Sequence, residues 1–287
     1  MRLYRRCLIC LVALLLALPS AAGAYYSAHT YRNGSRDEKR VAITVDDMFN
    51  TAILAQILDL CDQTGAHITL FPVGKRILES DRDLWQRVVD SGHEIGNHTN
   101  NHRKLTKLDG YQIGTEVRTM QKRLNAALGY EYPLTILRPP YGTLGENGGS
   151  SRVGRELYKL GYHTLILWDV SETDPDEALK KTRNGSILLF HTNAKDYRCL
   201  EQLIPALQAE GYTLVTVSEL LHLDANGDAP TATPEATPTP APTADAQPTG
   251  TPKADATVAA TATPATVATA EATATPNATA TVKMRNQ

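Results

Sequence analysis

Two histidines separated by four positions give the clearest indication of chemistry in this chain. His98 and His102 stand in the segment GHEIGNHTNNH. If the segment is helical, positions i and i+4 lie on one face, so both imidazoles can reach a single metal ion. A strand-like run, VAITV, ends in Asp46 and Asp47, which supply one carboxylate for the metal and one to spare. Two histidines and a carboxylate, with open positions for water and substrate, are typical of a catalytic metal site.

The ligand types leave the identity of the metal open. Imidazole and carboxylate ligands suit Zn²⁺ and also Co²⁺, Ni²⁺, Mn²⁺ or Fe²⁺, and availability selects among them. We therefore expect a divalent metal cofactor, with zinc as the first choice.

Strand-like and helix-like segments alternate along the core of the chain. Short apolar runs predict seven strands, at 41–45, 67–71, 93–96, 134–137, 163–168, 187–190 and 213–217. Helical periodicity with glycine stops predicts helices at 52–64, 77–90, 109–128, 153–160, 174–182 and 200–209, and a final turn at 218–223. This alternation predicts an α/β fold with a parallel sheet buried on both faces.

Polar residues follow the ends of successive predicted strands. Asp46, His98, Arg138, Asp174 and His191 are the principal examples. In a (β/α) barrel those carboxyl ends converge on one face, where the chemistry takes place. An open, doubly wound sheet brings together only the loops at its crevice. The pattern therefore favours a barrel.

Each of these polar clusters also has a structural explanation when taken alone. Asp46 with its neighbour fits a helix N-cap, and HTNNH fits a solvated loop. Arg138 fits a salt-bridged turn, and Asp174 fits the cap of a helix that Pro175 opens. His191 fits a buried, hydrogen-bonded histidine. Five clusters at equivalent positions after successive strands favour the functional interpretation.

The chain resembles the polysaccharide deacetylases, the nodulation-B homology domain of carbohydrate esterase family four. The resemblance rests on GHEIGNHTNNH, on RPPYG at 138–142 and on LFPVG at 70–74, and it spans about residues 40–224. It implies a distorted (β/α)7 barrel forming a single catalytic domain. It also implies a hydrolase that removes N-acetyl groups from N-acetylglucosamine-type polysaccharide such as peptidoglycan or chitin. The alternatives are an O-acetyl xylan esterase of the same family and a catalytically weak carbohydrate-binding protein on this scaffold.

The resemblance assigns a metal centre and a general base. Asp47, His98 and His102 are implied as the metal ligands. Asp46 is implied as the base that takes a proton from the attacking water, and Arg138 is implied to pair with Asp46 and keep it ionised.

The resemblance also assigns residues to the opposite side of the scissile bond. His191 is implied as the general acid, and Asp174 is implied to keep it charged. Tyr141 is implied to offer its backbone N–H to the oxyanion and to contact the substrate. Leu189 and Trp168 are further candidates for substrate binding, with Leu189 beside the acetyl methyl group.

The chain departs from the family pattern at three places. Met48 and Phe49 stand where Gly-Pro usually follows the two aspartates. Ser171 and the Asp174-Pro175 pair occupy the fourth motif, which normally holds two aspartates and a tryptophan. A threonine follows His191 where an aspartate is common. These departures affect the expected substrate preference and rate more than the expected metal binding.

The two ends of the chain differ from the core. Residues 1–24 combine an arginine-rich start, an apolar run and an A-x-A site, which predicts a cleaved signal peptide and a secreted or envelope-associated protein. Residues 25–39 predict a loose polar lead-in. Residues 229–287 are rich in Ala, Thr and Pro without aromatic residues, which predicts a disordered tail with a possible role in cell-wall association.

Charge and cysteine content narrow the possible partners. The formal net charge is -2 and the core has no basic tract, so nucleic acid is not an expected partner. The expected partner is the polysaccharide substrate, and we expect a monomer. Export permits a disulfide between Cys61 and Cys199, and two separate buried thiols are an equal alternative.

Overall fold

The strand β2 (Arg40–Asp47) lies at the centre of the fold. In the computed structural model, which describes residues 27–230, every residue of β2 after Arg40 is buried. Its sequence, RVAITVDD, is rich in β-branched residues that favour the extended backbone. Burial on both faces explains why this strand is almost continuously apolar until it reaches its two aspartates.

The strands form a closed parallel arrangement. Within residues 27–230 they are β1 (His29–Tyr31), β2 (Arg40–Asp47), β3 (Ile68–Pro72), β4 (Glu94–Ile95), β5 (Ile136–Leu137), β6 (Thr164–Ile166), β7 (Ile187–His191) and β8 (Thr213–Leu214). β2 pairs with β7 and β3, β3 with β4, and β5 with β6. Isolated parallel bridges from Asn97 to Leu137 and from Val170 to Leu188 join the two sheets. The strands β2 to β7 thus form a ring, and the predicted distorted (β/α) barrel is confirmed.

Helices alternate with the strands along the chain. They are α1 (Thr51–Thr64), α2 (Arg82–Asp90), α3 (Gly110–Leu128), α4 (Arg152–Lys159), α5 (Pro175–Lys181), α6 (Ala194–Ala209) and α7 (Val217–Leu221). Local sequence sets their ends. Asn50 caps α1 by accepting from two backbone N–H groups, and Asp109 and Gln112 form a capping box at the start of α3. Gly129 ends α3 in the left-handed conformation.

The alternation of side chains along each strand divides the core into two parts. Val41, Ile43 and Val45 belong to the large apolar cluster that includes the buried helix residues. Ala42 belongs to a second cluster with residues such as Phe71, Ile136, Ile166 and Ile187. Because successive side chains point to opposite faces, Thr44 and Asp46 share the face of Ala42. The same period gives Arg138 the face of Ile136, and Leu189 and His191 the face of Ile187.

Several predicted elements differ in detail from those observed. The segment that holds His98 and His102 is a loop, so the helical i, i+4 arrangement was wrong. Thr99 and His102 adopt positive φ values of 65° and 58°, which a helix excludes. The predicted helix at 77–90 begins only at Arg82, after a 3₁₀ turn.

The ends of the domain also differ from the prediction. The lead-in at 25–39 was expected to be loose, but its strand β1 pairs in parallel with β6. The predicted strand at 213–217 stops after β8, because Thr216 caps helix α7. β8 pairs with the first two residues of β2. The signal peptide at 1–24 and all but two residues of the 229–287 tail lie outside the described residues.

Both cysteines of the domain are buried free thiols. Burial raises the pKa of Cys61 to about 12 and that of Cys199 to about 11. Of the two alternatives, the structure therefore has separate thiols. None of the helices between residues 27 and 230 has the length and apolar character needed to cross a bilayer.

Candidate active site

The three predicted metal ligands converge at the carboxyl ends of the strands. Nε2 of His98 and Nε2 of His102 each lie 3.5 Å from Oδ1 of Asp47. One ligand atom from each residue falls within 4.8 Å of the others. Ligand atoms about 2.0–2.2 Å from a tetrahedral metal are separated by roughly 3.3 Å, so this spacing fits a shared ion.

Two further observations support a metal at this position. Oδ1 of Asp47 is buried and has no hydrogen-bond partner within the described part of the chain. A buried carboxylate oxygen without a partner is unfavourable, and a cation would satisfy it. Nδ1 of His98 lies 2.7 Å from the carbonyl oxygen of Arg138, which can only accept. The proton of His98 is therefore on Nδ1, and the lone pair of Nε2 faces Asp47.

The environment of His102 also favours the neutral form that binds metals. Burial lowers the pKa of His102, and the neighbouring His98 and, more weakly, Lys75 act in the same direction. Asp47 and Asp46 oppose this shift. A neutral imidazole needs no deprotonation before it binds a metal ion.

A network of hydrogen bonds holds the loop that carries the two histidines. The side chain of Asn97 accepts from the N–H of Thr99, and the hydroxyl of Thr99 accepts from the N–H of His102. The buried Glu116 on α3 accepts from the backbone N–H of Asn101 at 2.7 Å and from its side-chain amide at 3.1 Å. The loop is thus fixed to α3, which explains how a non-helical segment holds two ligands in place. Sequence reasoning missed Glu116; the available signal was an acid at helical spacing from the apolar Ile113 and Met120, on the face of the helix that is buried.

Asp46 and Arg138 form the ion pair that the resemblance implies. Nη1 of Arg138 donates to Oδ1 of Asp46 at 2.7 Å. Nη1 also donates to the hydroxyl of Thr44, and Nη2 donates to the carbonyl of Leu167. Burial lowers the pKa of Arg138 and Asp46 opposes this shift. An arginine remains charged in proteins, so the buried carboxyl group of Asp46 has a permanent cation as its partner.

His191 faces the same cleft but has an acidic partner that sequence reasoning did not identify. Asp196 Oδ2 accepts from the backbone N–H of His191 at 2.7 Å and lies 3.3 Å from Nδ1 of its ring. The hydrogen bond to Asp196 raises the pKa of His191, against the effect of burial. Asp46 and Asp47 add to the upward shift. His191 is therefore suited to carry a proton.

The assignment of Asp174 to this role was wrong. Its side chain accepts from the backbone N–H of Glu177 and caps helix α5, whose first residue is Pro175. This is the structural alternative that the sequence left open. Asp196 lies in the first turn of α6, directly after β7. It is therefore close to His191 both in sequence and in space. An acid five residues after a candidate histidine, at a helix start, is the signal that would have found it.

The metal triad, Asp46 and His191 border one cleft with a volume of about 330 Å³. Its lining residues are Asp46, Asp47, His98, His102, Pro139, Tyr141, Gly142, Trp168, Leu189 and His191. All residues predicted to bind substrate are among them. Tyr141 has a φ of 61° and a largely exposed side chain, and its ring centroid lies 4.6 Å from that of His102. A Cβ on Gly142 would lie 2.7 Å from the ring of Trp168, so this wall requires glycine.

The departures from the family pattern have distinct structural effects. Met48 is buried in the main apolar cluster and does not line this cleft. Phe49 is exposed at the rim, with its ring centroid 6.3 Å from that of His191. The hydroxyl of Thr192 accepts from the N–H of Asn50. Asp169 pairs with Arg36 and accepts from the start of β7, so its role is structural.

Comparisons with known proteins agree with this geometry. A family model described as polysaccharide deacetylase matches residues 33–165. The peptidoglycan-N-acetylglucosamine deacetylase of Bacillus cereus is 31% identical over 200 residues, covering 64% of this chain and 89% of that protein. The peptidoglycan-N-acetylmuramic acid deacetylase PdaA of Bacillus subtilis is 28% identical over 201 residues, covering 66% and 73%.

A solved structure gives the same result for the fold. The Bc1960 peptidoglycan N-acetylglucosamine deacetylase, in complex with 4-naphthalen-1-yl-N-oxidanyl-benzamide, has a TM-score of 0.58 and 25% identity. The match covers 69% of this chain and 94% of that chain. The metal triad, the paired Asp46 and the cleft thus occur on a fold and in a sequence context shared with these proteins. The chain belongs to the polysaccharide deacetylase family.

Proposed function

We propose that this protein is an exported, metal-dependent deacetylase that removes N-acetyl groups from the sugars of peptidoglycan. The observation that carries the proposal is the convergence of the Asp47–His98–His102 triad, Asp46 and His191 on one cleft. The similar proteins whose names specify a substrate support peptidoglycan over chitin. The predicted signal peptide supports export and association with the cell envelope.

The residues of the chain divide the work of amide hydrolysis between them. A bound divalent metal would supply a Lewis acid for the carbonyl and lower the pKa of a water molecule. Asp46, oriented by its hydrogen bond from Arg138, is suited to take the proton of the attacking water. His191, whose pKa is raised by its hydrogen bond to Asp196, is suited to give a proton to the leaving amine.

The walls of the cleft suit the acyl group of an acetylated sugar. Leu189 and Trp168 offer apolar surface to the cleft that the metal triad also lines. A small apolar recess beside polar reactive groups favours a short acyl chain such as acetyl. Tyr141 is proposed to bind the substrate at the rim and to donate its backbone N–H to the oxyanion. We propose Zn²⁺ as the metal, because two histidines and a carboxylate are common zinc ligands.

Acetate release from three polymers tests the proposal. The purified protein is stripped of metal, and Zn²⁺ or Co²⁺ is restored. It is then given peptidoglycan glycan chains, N-acetylglucosamine oligomers and acetylxylan. We expect metal-dependent release from the peptidoglycan glycan, and a fall of roughly 100- to 10,000-fold with Asp46→Asn.

The other results would point elsewhere. Release from acetylxylan alone would make the protein an ester hydrolase. Binding of glycan without release from any polymer would support the carbohydrate-binding alternative. Release that persists without metal would contradict the proposed mechanism.

A further inference from the structure

A second cleft adjoins the metal triad, and Trp168 is not among the residues that line it. It has a volume of about 210 Å³ and is lined by Asp47, Phe49, Val73, Lys75, Arg76, Asn101, His102 and Tyr141. Asp47, His102 and Tyr141 line both clefts, so the two clefts adjoin at the metal triad. None of the residues assigned to catalysis other than these three contributes to it.

Two basic side chains, Lys75 and Arg76, line the second cleft. Neither Lys75 nor Arg76 forms a side-chain ion pair with an acid in the described chain. The carboxylate that lines this cleft is Asp47, whose charge a bound metal would offset. The cleft therefore has unpaired positive charge next to the reacting centre.

The fold holds in place the backbone turn that carries the two cations. They belong to a 3₁₀ turn, Gly74–Arg76, that follows β3. Within this turn, the N–H of Gly74 donates to Thr99 and that of Lys75 to Asn100, in each case at 2.9 Å. A Cβ on Gly74 would lie 2.8 Å from the backbone of Met120, so the turn packs closely against α3. The turn and the histidine loop are thus held together as one unit.

Aromatic side chains border the cations. The guanidinium of Arg76 lies 4.5 Å from the ring centroid of Phe49. Phe49 is half exposed and stands where the family usually has the proline of a Gly-Pro pair. Tyr141 also lines this cleft. Exposed aromatic rings beside cations are suited to a sugar ring with a negatively charged substituent.

We propose that this second cleft binds a carboxylate on the sugar polymer close to the acetamide that is hydrolysed, with Lys75 and Arg76 as specificity-determining residues. The two sugars of peptidoglycan differ by a lactyl ether, which gives N-acetylmuramic acid a carboxylate that N-acetylglucosamine lacks. This inference rests on the proposed deacetylase function. It narrows the substrate to glycans with a free lactyl carboxylate within reach of the reacting unit.

A matched set of glycans tests the role of charge. Peptidoglycan glycan chains are freed of their stem peptides, and half of the sample is converted to neutral methylamides. The two samples then differ only in the lactyl carboxylate. A third sample keeps the stem peptides, so that its carboxylates are on the peptide and its lactyl groups are amides. Values of kcat/KM for acetate release are measured at low and high salt.

We expect the wild-type protein to favour the free-carboxylate glycan over the methylamide by about tenfold, mostly through KM, and less so at high salt. The combined Lys75→Met and Arg76→Met substitutions should bring this ratio close to one. Lys75→Arg should preserve it. Lys122→Met, on the exposed face of α3, serves as the control and should leave the ratio unchanged.

Other results would overturn the inference. A wild-type ratio near one, or a ratio that survives the double substitution, would exclude the carboxylate site. A preference for the peptide-bearing sample would assign the cations to peptide carboxylates instead. If no sample releases acetate, the deacetylase proposal fails, and calorimetric binding of the charged and neutral glycans to the wild-type and double-variant proteins still decides the inference.

Discussion

Asp46 and His191 are register partners on the neighbouring strands β2 and β7, yet Asp46 is paired with an arginine and His191 with an aspartate. The buried guanidinium of Arg138 donates to Asp46 at 2.7 Å. His191 has the buried Asp196 next to Nδ1, which favours the imidazolium. The carboxyl group and the imidazole thus have different electrostatic environments within one cleft, as a catalytic acid and base require.

The pairing of His191 with Asp196 leads to the first prediction. In Asp196→Asn, the pKa of His191 should fall, because the hydrogen bond that raises it is weakened. If the imidazolium donates the proton, the basic limb of the kcat/KM profile moves to lower pH. NMR titration of His191 and the pH profile of acetate release measure both effects.

A matched control separates this role from that of Asp174. Asp174→Asn keeps a good N-cap for α5, so neither the pKa of His191 nor the pH profile should change. A shift of the profile with Asp174→Asn, and none with Asp196→Asn, would restore the original assignment.

The same pair predicts how the stability of the fold depends on pH. Because the folded-state pKa of His191 is raised, the folded protein binds more protons than the unfolded chain. The contribution is fully present below the ordinary histidine pKa and is lost as pH rises through the folded-state pKa. Asp196→Asn should therefore reduce the free energy of unfolding more at pH 5 than at pH 9. Urea unfolding at the two values measures this difference, and an equal loss at both would contradict it.

The buried pair of Arg138 and Asp46 leads to a third prediction. Arg138→Met leaves the buried Asp46 carboxylate without its partner, which should lower the free energy of unfolding by about 3–5 kcal/mol. Adding Asp46→Asn removes the unpaired charge and should recover part of the loss. Urea unfolding with a chelator present measures all four proteins of the cycle. Strictly additive losses would show that the two residues are not coupled.

At the scale of elements, the histidine loop depends on a helix that contributes no ligand. Glu116 on α3 binds both the backbone and the side chain of Asn101, next to His102. Arg103 lies 3.8 Å from the same carboxylate. We expect Glu116→Ala to weaken metal binding by roughly tenfold, in the range seen when residues that orient metal ligands are removed. Competition with a chromogenic chelator measures the affinity.

The control for this prediction is an exposed acid on another helix. Glu201→Ala on α6 should leave the affinity for the metal unchanged. Circular dichroism of both variants shows whether the fold is retained. If Glu116→Ala binds the metal as tightly as the wild type, the loop is held in place by its own hydrogen bonds.

The elements of the barrel could largely be predicted from the sequence. Runs of apolar, β-branched residues such as VAITV indicate the strands. A strand that is buried on both faces is apolar along its length and does not alternate between polar and apolar residues. Gly65 and Gly129 end helices in the left-handed conformation, as their positions predict. The polar residues after these strands were correctly predicted to converge, since parallel strands direct their carboxyl ends to one face.

The remaining errors have physical causes. The four-residue spacing of His98 and His102 resembles a helix, but the loop brings its ligands together through positive-φ residues and Glu116. The partner of His191 was misassigned because Asp174 and Asp196 are both acids at helix starts. Only the three-dimensional path of the chain distinguishes them. β1 has three residues with no buried face, so it carries no periodic signal.

At the scale of the whole molecule, the proposed metal site links metal binding to folding. The residues of the triad come from β2 and from the loop after β4, which are distant in sequence. An ion that binds them only in the folded chain stabilises the folded state. At a metal concentration 100 times the Kd, the gain is about 2.7 kcal/mol. For a domain of this size that corresponds to a rise in Tm of roughly 5–10 °C. Differential scanning calorimetry with and without Zn²⁺ measures the rise, which should be lost in His98→Ala.

The most direct test of the account is an activity titration of the metal-stripped protein. Zn²⁺ is added in fractions of one equivalent, and bound metal and acetate release from peptidoglycan glycan are measured on the same samples. The account predicts that activity rises linearly and reaches its maximum at one bound ion per chain, and that Asp47→Ala neither binds the ion nor gains activity. Full acetate release before any metal is added, or a bound equivalent in Asp47→Ala with restored release, would contradict it.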